Sequence, residues 1–156
     1  MSAPNVVTSL PATQAVYAPE QNGLTNPNVG IAAGTNARRL LCSFRGANLN
    51  TTGDTMISPV INSASYIVTD VVFTNASISL STALAAVNTG AAGSGNVVVA
   101  NVALSSNTGP TVAIFPTVVT ATKALNLSAQ NMYLNVGTSQ GAAATMDVFV
   151  YGYDVS

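Results

Sequence analysis

The chain has no histidine and no tryptophan, a single cysteine, one lysine (Lys123) and one glutamate (Glu20). Charged residues make up 6% of it, against roughly 25–35% on a well-solvated domain surface. Without histidine there is no Ser–His–Asp triad, no imidazole metal ligand and no general base of the commonest kind. With only Cys42, neither an internal disulfide nor a thiolate zinc site can form, and in "RRLLCSFR" that cysteine reads as a small buried hydrophobe. The net charge of −1, with only Arg38, Arg39, Arg45 and Lys123 as cations, leaves no basic surface for phosphates, so no nucleic-acid partner is expected. No apolar run is long enough to cross a bilayer, and no membrane role is expected. The start, "MSAPNVVTSLPATQ", has neither a basic nor an apolar leader region, so manufacture without Sec export is the expectation.

The carboxylates are equally sparse: Glu20, Asp54, Asp70, Asp147 and Asp154. Nothing in their spacing selects an acid–base pair. Asp147 and Asp154 are an odd number apart and would face opposite sides of a regular strand. "GAAGSGN" (90–96) superficially resembles a phosphate loop, but "VVVANVAL" follows where a helix would be required, so a hairpin loop is expected. No catalytic, cofactor or metal site is expected, and the chain reads as a non-enzyme. Asp70 in "YIVTDVVF" and Asp147 in "MDVFV" lie inside apolar strands, where a carboxylate must be exposed, paired or hydrogen-bonded. Arg38, Arg39 or Arg45 is the expected partner of Asp70.

What the chain does have is 48% hydrophobic residues, too many for disorder. Residues 1–35 carry Pro4, Pro11, Pro19 and Pro27, four of the seven prolines, which oppose a regular helix or central strand. They read as an extended N-terminal arm whose apolar residues include Val6, Val7, Leu10 and Tyr17. Residues 36–156 read as β, rich in Val and Thr. Strands are expected near 37–45, 66–75, 78–88, 96–104, 111–119, 124–127, 131–137 and 145–153. "NTGAAGSGN", "SSNTGP" and "GTSQGAAA" supply turns, and "STALAAV" (81–87) has a short helix as its alternative. About eight short strands predict an all-β, antiparallel, jelly-roll-like β-sandwich.

The last strand poses a question of cover. Met146, Val148 and Val150 point one way, and Asp147, Phe149, Tyr151 and Tyr153 the other. "SYIVTDVVF" is similarly two-sided, with Ile67, Val71 and Phe73 opposite Tyr66, Val68 and Val72. A sandwich offers one inner face per sheet, so the leftover apolar faces are expected to be covered by the arm 1–35 on one and by a neighbouring subunit on the other. Phe149, Tyr151 and Tyr153 are the expected subunit-packing residues.

"SYIVTDVVFTNASISLSTA" and "NMYLNVGTSQGAAATMDVFVYGY" resemble a recurring region of tailed-bacteriophage structural proteins, among them jelly-roll cement or decoration proteins of the capsid. The resemblance spans about residues 66–153. It implies a virion protein, made in the host cytoplasm and placed on the capsid exterior, with the major capsid protein as partner. Self-association is expected too, a trimer favoured over a dimer, with Val6, Val7, Leu10 and Tyr17 of the arm making capsid or inter-subunit contacts. A tail, baseplate or fibre component that attaches to the host surface is the alternative.

Overall fold

Val, Ile and Thr suit a pleated, half-buried backbone. In the computed structural model, which describes residues 38–61 and 63–155, they build eight strands. These are β1 (Arg39–Asn48), β2 (Gly53–Pro59), β3 (Tyr66–Thr74), β4 (Leu84–Asn88), β5 (Val97–Ala103), β6 (Ala113–Ile114), β7 (Asn131–Thr138) and β8 (Thr145–Asp154). A one-turn helix, α1 (Thr120–Lys123), lies between β6 and β7.

Two four-stranded antiparallel sheets result, sheet A in the order β1-β8-β3-β6 and sheet B in the order β2-β7-β4-β5. Four of the pairings, β1–β8, β2–β7, β3–β6 and β4–β5, are those of one long hairpin folded at its midpoint. The other two, β3–β8 and β4–β7, arise when that hairpin is wrapped into two layers. This is the connectivity of a jelly roll, and it places the C-terminal strand β8 in the middle of sheet A.

The expected strand count is met, but not by the expected set. The segment 124–127 is not a strand; Ala124 caps α1, and only Leu127 bridges to Tyr66. In its place β2 forms at the edge of sheet B, from a segment too exposed to carry an apolar signature. Residues 78–83 precede β4 as loop, and of 111–119 only Ala113–Ile114 pairs. "STALAAV" is not a helix: pairing with β5 on one side and β7 on the other holds Leu84–Asn88 extended.

The core lies between the sheets. Phe44, Tyr66, Val68, Val71, Phe73, Met146, Val148 and Val150 project from sheet A towards Val87, Met132, Leu134 and Val136 of sheet B. Leu49, Leu80, Leu104 and Val118 close the ends. Cys42 is buried here as expected, its thiol 3.5 Å from the Met132 sulfur. Burial pushes its pKa up to about 12, so it stays protonated and unreactive.

The regular alternation expected for β3 is interrupted. Val68 pairs with Gly152 and Asp70 with Tyr151, so Thr69 is an extra residue in a β-bulge. Beyond the bulge the parity changes. Tyr66, Val68, Val71 and Phe73 all face the core, and Ile67 and Val72 face outward. Val71 and Phe73 are therefore companions of Tyr66 and Val68, not their opposites.

Candidate interaction surface on the outer face of sheet A

β8 keeps its alternation, with Met146, Val148 and Val150 fully buried. On the other side of the sheet stand Asp147, Phe149, Tyr151 and Tyr153. Register fixes their neighbours: Tyr151 lies between Leu40 of β1 and Asp70 of β3, and Phe149 between Ser43 and Val72. The three aromatics expected to pack against a subunit thus form one row down the centre of an outer face. Phe149 and Tyr151 are half-buried, and Tyr153 is 37% exposed.

The partial cover comes from the chain's own arginines. The Arg38 guanidinium lies 5.2 Å from the centroid of the Tyr151 ring and reaches on to Asp70, with Nη2 3.2 Å from Oδ2. Asp70 stands on the far side of β8 from β1, so this ion pair straps the tyrosine. Arg45 lies 4.9 Å from the Phe149 centroid, 4.0 Å from the Asp147 carboxylate. Both arrangements draw guanidinium charge to the negative face of an aromatic ring. Of the three expected partners for Asp70, Arg38 is the one in place.

The other three described aspartates serve the scaffold. Asp147 is 9% exposed. It accepts hydrogen bonds from the Gly46 N–H at 2.7 Å and from Asn75 Nδ2 at 3.0 Å. Asp154, near the other end of β8, pairs with Arg39 at 2.9 Å and accepts from Ser63 Oγ at 2.8 Å. Asp54 accepts from the Ala92 N–H and from Asn135 Nδ2, tying β2 and β7 to the turn after β4. Among the described residues no three His, Cys, Asp or Glu side chains converge as metal ligands.

The outer face of sheet B is different in kind. Asn88, Asn101 and Asn135 line it, and the Asn101 amide lies where a side chain at position 137 would otherwise stand. Beside the open edges of β5 and β6, Val102, Ile114, Phe115 and Pro116 border a shallow groove of about 300 Å³. Phe115 is 71% exposed there, the most exposed large hydrophobic side chain among the described residues. It was missed because 111–119 reads as one continuous strand; its signal is the pair of prolines, Pro110 and Pro116, that confine pairing to the short stretch between them. Val6, Val7, Leu10 and Tyr17, and the arm 1–35 that carries them, lie outside the described residues.

Comparison of this chain with known protein families, with curated proteins and with solved structures finds no match.

Proposed function

We propose that this chain is a structural protein of a tailed-phage particle, a decoration or cement protein on the outside of the head. It binds the major capsid protein, associates with itself and braces adjacent shell subunits. The observation that carries this reading is the outer face of sheet A, where Phe149, Tyr151 and Tyr153 form a row topped by arginines. Aromatics and arginine are the side chains that protein–protein interfaces favour. The sparse charge agrees with it, because three aspartate–arginine pairs are spent within the domain and little free charge remains to keep partners away. Jelly rolls recur in viral capsid proteins, a supporting analogy at the level of fold. Repetition over a shell would turn modest single contacts into high occupancy by avidity.

A second reading, a tail or fibre component that contacts the host surface, draws on the exposed Tyr153 beside Tyr151, a platform on which a sugar ring could stack. Copy number separates the two. Gel densitometry of purified particles is expected to show the chain in numbers comparable with the shell protein; a few copies per particle would favour the tail. A chain lacking residues 1–20 is expected to fold but to lose binding to particles, and undiminished binding would remove the arm from the contact.

A further inference from the structure

We infer that the groove beside β5 and β6 receives an extended segment of the arm, residues 5–10, from a neighbouring copy of this chain. The inference rests on the self-association included in the proposed function and supplies its contact.

The first argument is the strand edge. Sheet A ends in β1 and β6, and sheet B in β2 and β5. Edges that invite another chain are usually blunted by charge, proline, bulges or shortness. β1 carries Arg39 and Arg45, β2 carries Asp54 and Pro59, and β6 is confined between Pro110 and Pro116. β5, "VVVANVA", has neither charge nor proline, and only its register shifts interrupt it. The loop after β6 covers its first part, where the Val119 N–H and the Thr122 hydroxyl donate to the carbonyls of Val98 and Val97. Among the described residues no backbone hydrogen bond continues that cover from Ala100 to Ala103, and Ala100, Asn101 and Ala103 are exposed. Such an edge takes an added strand, whose main chain supplies donors and acceptors at matching spacing.

The second argument is the lining. The groove has Val102, Ile114 and the exposed Phe115 along it and no charged side chain. Its occupant is therefore extended, apolar and uncharged. Residues 1–35 carry one charged side chain, Glu20, and the stretch "NVVTSL" (5–10) runs free of proline between Pro4 and Pro11. Of the stretches between the arm's prolines it is the richest in β-branched residues, the type that suits a strand. As an added strand it puts Val6, Thr8 and Leu10 on one face, towards Val102 and Phe115.

The third is where the arm joins the domain. Arg38 precedes β1, at the end of sheet A where Arg39 pairs with Gly152 and Tyr66 with Asp154. The groove lies on the opposite edge of that sheet and towards its other end, beside Ile114, which pairs with Phe73. Root and groove are separate patches, so an exchanged arm makes a head-to-tail contact in which each copy gives one arm and receives another. Such contacts close into rings, and the trimer favoured by the sequence is one. Residues 11–37 form a tether that spans up to roughly 90 Å when extended, enough to reach the next copy.

The test uses the full chain. Two variants, Ser9→Cys and Ser106→Cys, are mixed and oxidised; Ser106 lines the groove, and Cys42 is buried and does not compete. A disulfide-linked pair is expected on a non-reducing gel, with the arm cysteine moved through positions 5–10 to find the register. A chain carrying both cysteines is expected to give covalent assemblies of several copies. If it closes on itself as a monomer instead, each arm fills its own groove and the exchange is overturned. Phe115→Ser is expected to weaken self-association about tenfold or more with an unchanged circular dichroism spectrum, because the ring is exposed in the single chain. Val6→Asp, outside the folded domain, is expected to do the same. An unaltered chain that sediments as a monomer, no cross-link at any of the arm positions, or association untouched by Phe115→Ser and Val6→Asp would overturn the inference. A Phe115→Ser oligomer that no longer binds particles would also overturn it, by giving the groove to the shell protein. Failure of the two readings is distinguishable. A monomer that decorates particles refutes the arm exchange alone, and a ring that never binds particles refutes the decoration role alone.

Discussion

Asp147 stands on the solvent side of β8 and yet is almost enclosed, because the chain around it needs an acceptor. Gly46 (φ 62) and Asn75 (φ 54) both adopt left-handed backbone conformations, one in a bulge of β1 and one just after β3. Asp147 takes a hydrogen bond from each. Hydrogen bonds to a charged group contribute about 1.5–3 kcal/mol, and an amide in the same place must turn one N–H donor toward another. Asp147→Asn is therefore expected to cost about 2–3 kcal/mol, read as a lower urea midpoint. Cys42 and Tyr66 make the opposite case, groups kept neutral by burial. Their pKa values are raised from 9.0 and 10.0 to about 12 in the fold. The unfolded chain ionises first, so the stability they contribute is complete below pH 9 and is lost as pH rises through about 12. Each group steepens the loss by up to about 1.4 kcal/mol per pH unit. Urea midpoints measured upward from pH 8.5 should fall, and Cys42→Ala should make that fall shallower.

At the scale of the element, regular alternation was legible and its interruptions were not. In β7, Met132, Leu134 and Val136 alternate with Tyr133 and Asn135, so strand and core face could both be read directly. In β3 the apolar residues fill both parities, and nothing local says that Thr69 is skipped; β8, paired on both sides, decides it. Removing Thr69 leaves Val71 and Phe73 on the core face, and the domain is expected to fold with a loss below about 2 kcal/mol. Removing Val72 instead turns Phe73 outward, a change comparable to truncating a buried phenylalanine, about 3–5 kcal/mol. Thermal melts of the two deletions compare them; a larger loss for the Thr69 deletion would contradict the bulge. β4 shows tertiary pairing overriding local preference: Leu-Ala-Ala is good helix sequence, but its small side chains fit a strand enclosed between β5 and β7. β2 failed to show for a related reason. An edge strand wets most of its side chains, and Ile57 at 59% exposure has no core partner to make it part of a pattern.

For the whole molecule, the wrapped hairpin makes the two sheets depend on one another. Consecutive strands β1 and β2, and likewise β7 and β8, lie in different sheets, and the core side chains of each sheet pack on the other. Neither sheet has an apolar core of its own. Unfolding of the 38–155 domain is therefore expected to be a single transition. Tyrosine fluorescence should report it equally from sheet B, in a chain keeping Tyr133 with Tyr17, Tyr66, Tyr151 and Tyr153 changed to Phe, and from sheet A, in a chain keeping Tyr151 with the other four changed to Phe. Separate midpoints would mean that one layer survives without the other. The outer face of sheet A also belongs to this scale. The row Phe149, Tyr151, Tyr153 could be read from β8 alone, but its arginine cover could not. Arg38 and Asp70 are far apart in the chain, and only the order β1-β8-β3 sets them on either side of the same ring.

Composition and pattern by themselves determined that this is a β protein. So few charges and so many Val and Thr residues cannot make solvated helices, and period-two alternation already marks which side of β7 and β8 is dry. The tertiary structure alone decided which residues were skipped in a bulge, which short segment became an edge strand, and which arginine met Asp70. Those outcomes depend on what lies across the sheet, and a strand's partners there are set by the wrapping of the whole chain, not by the residues next to it.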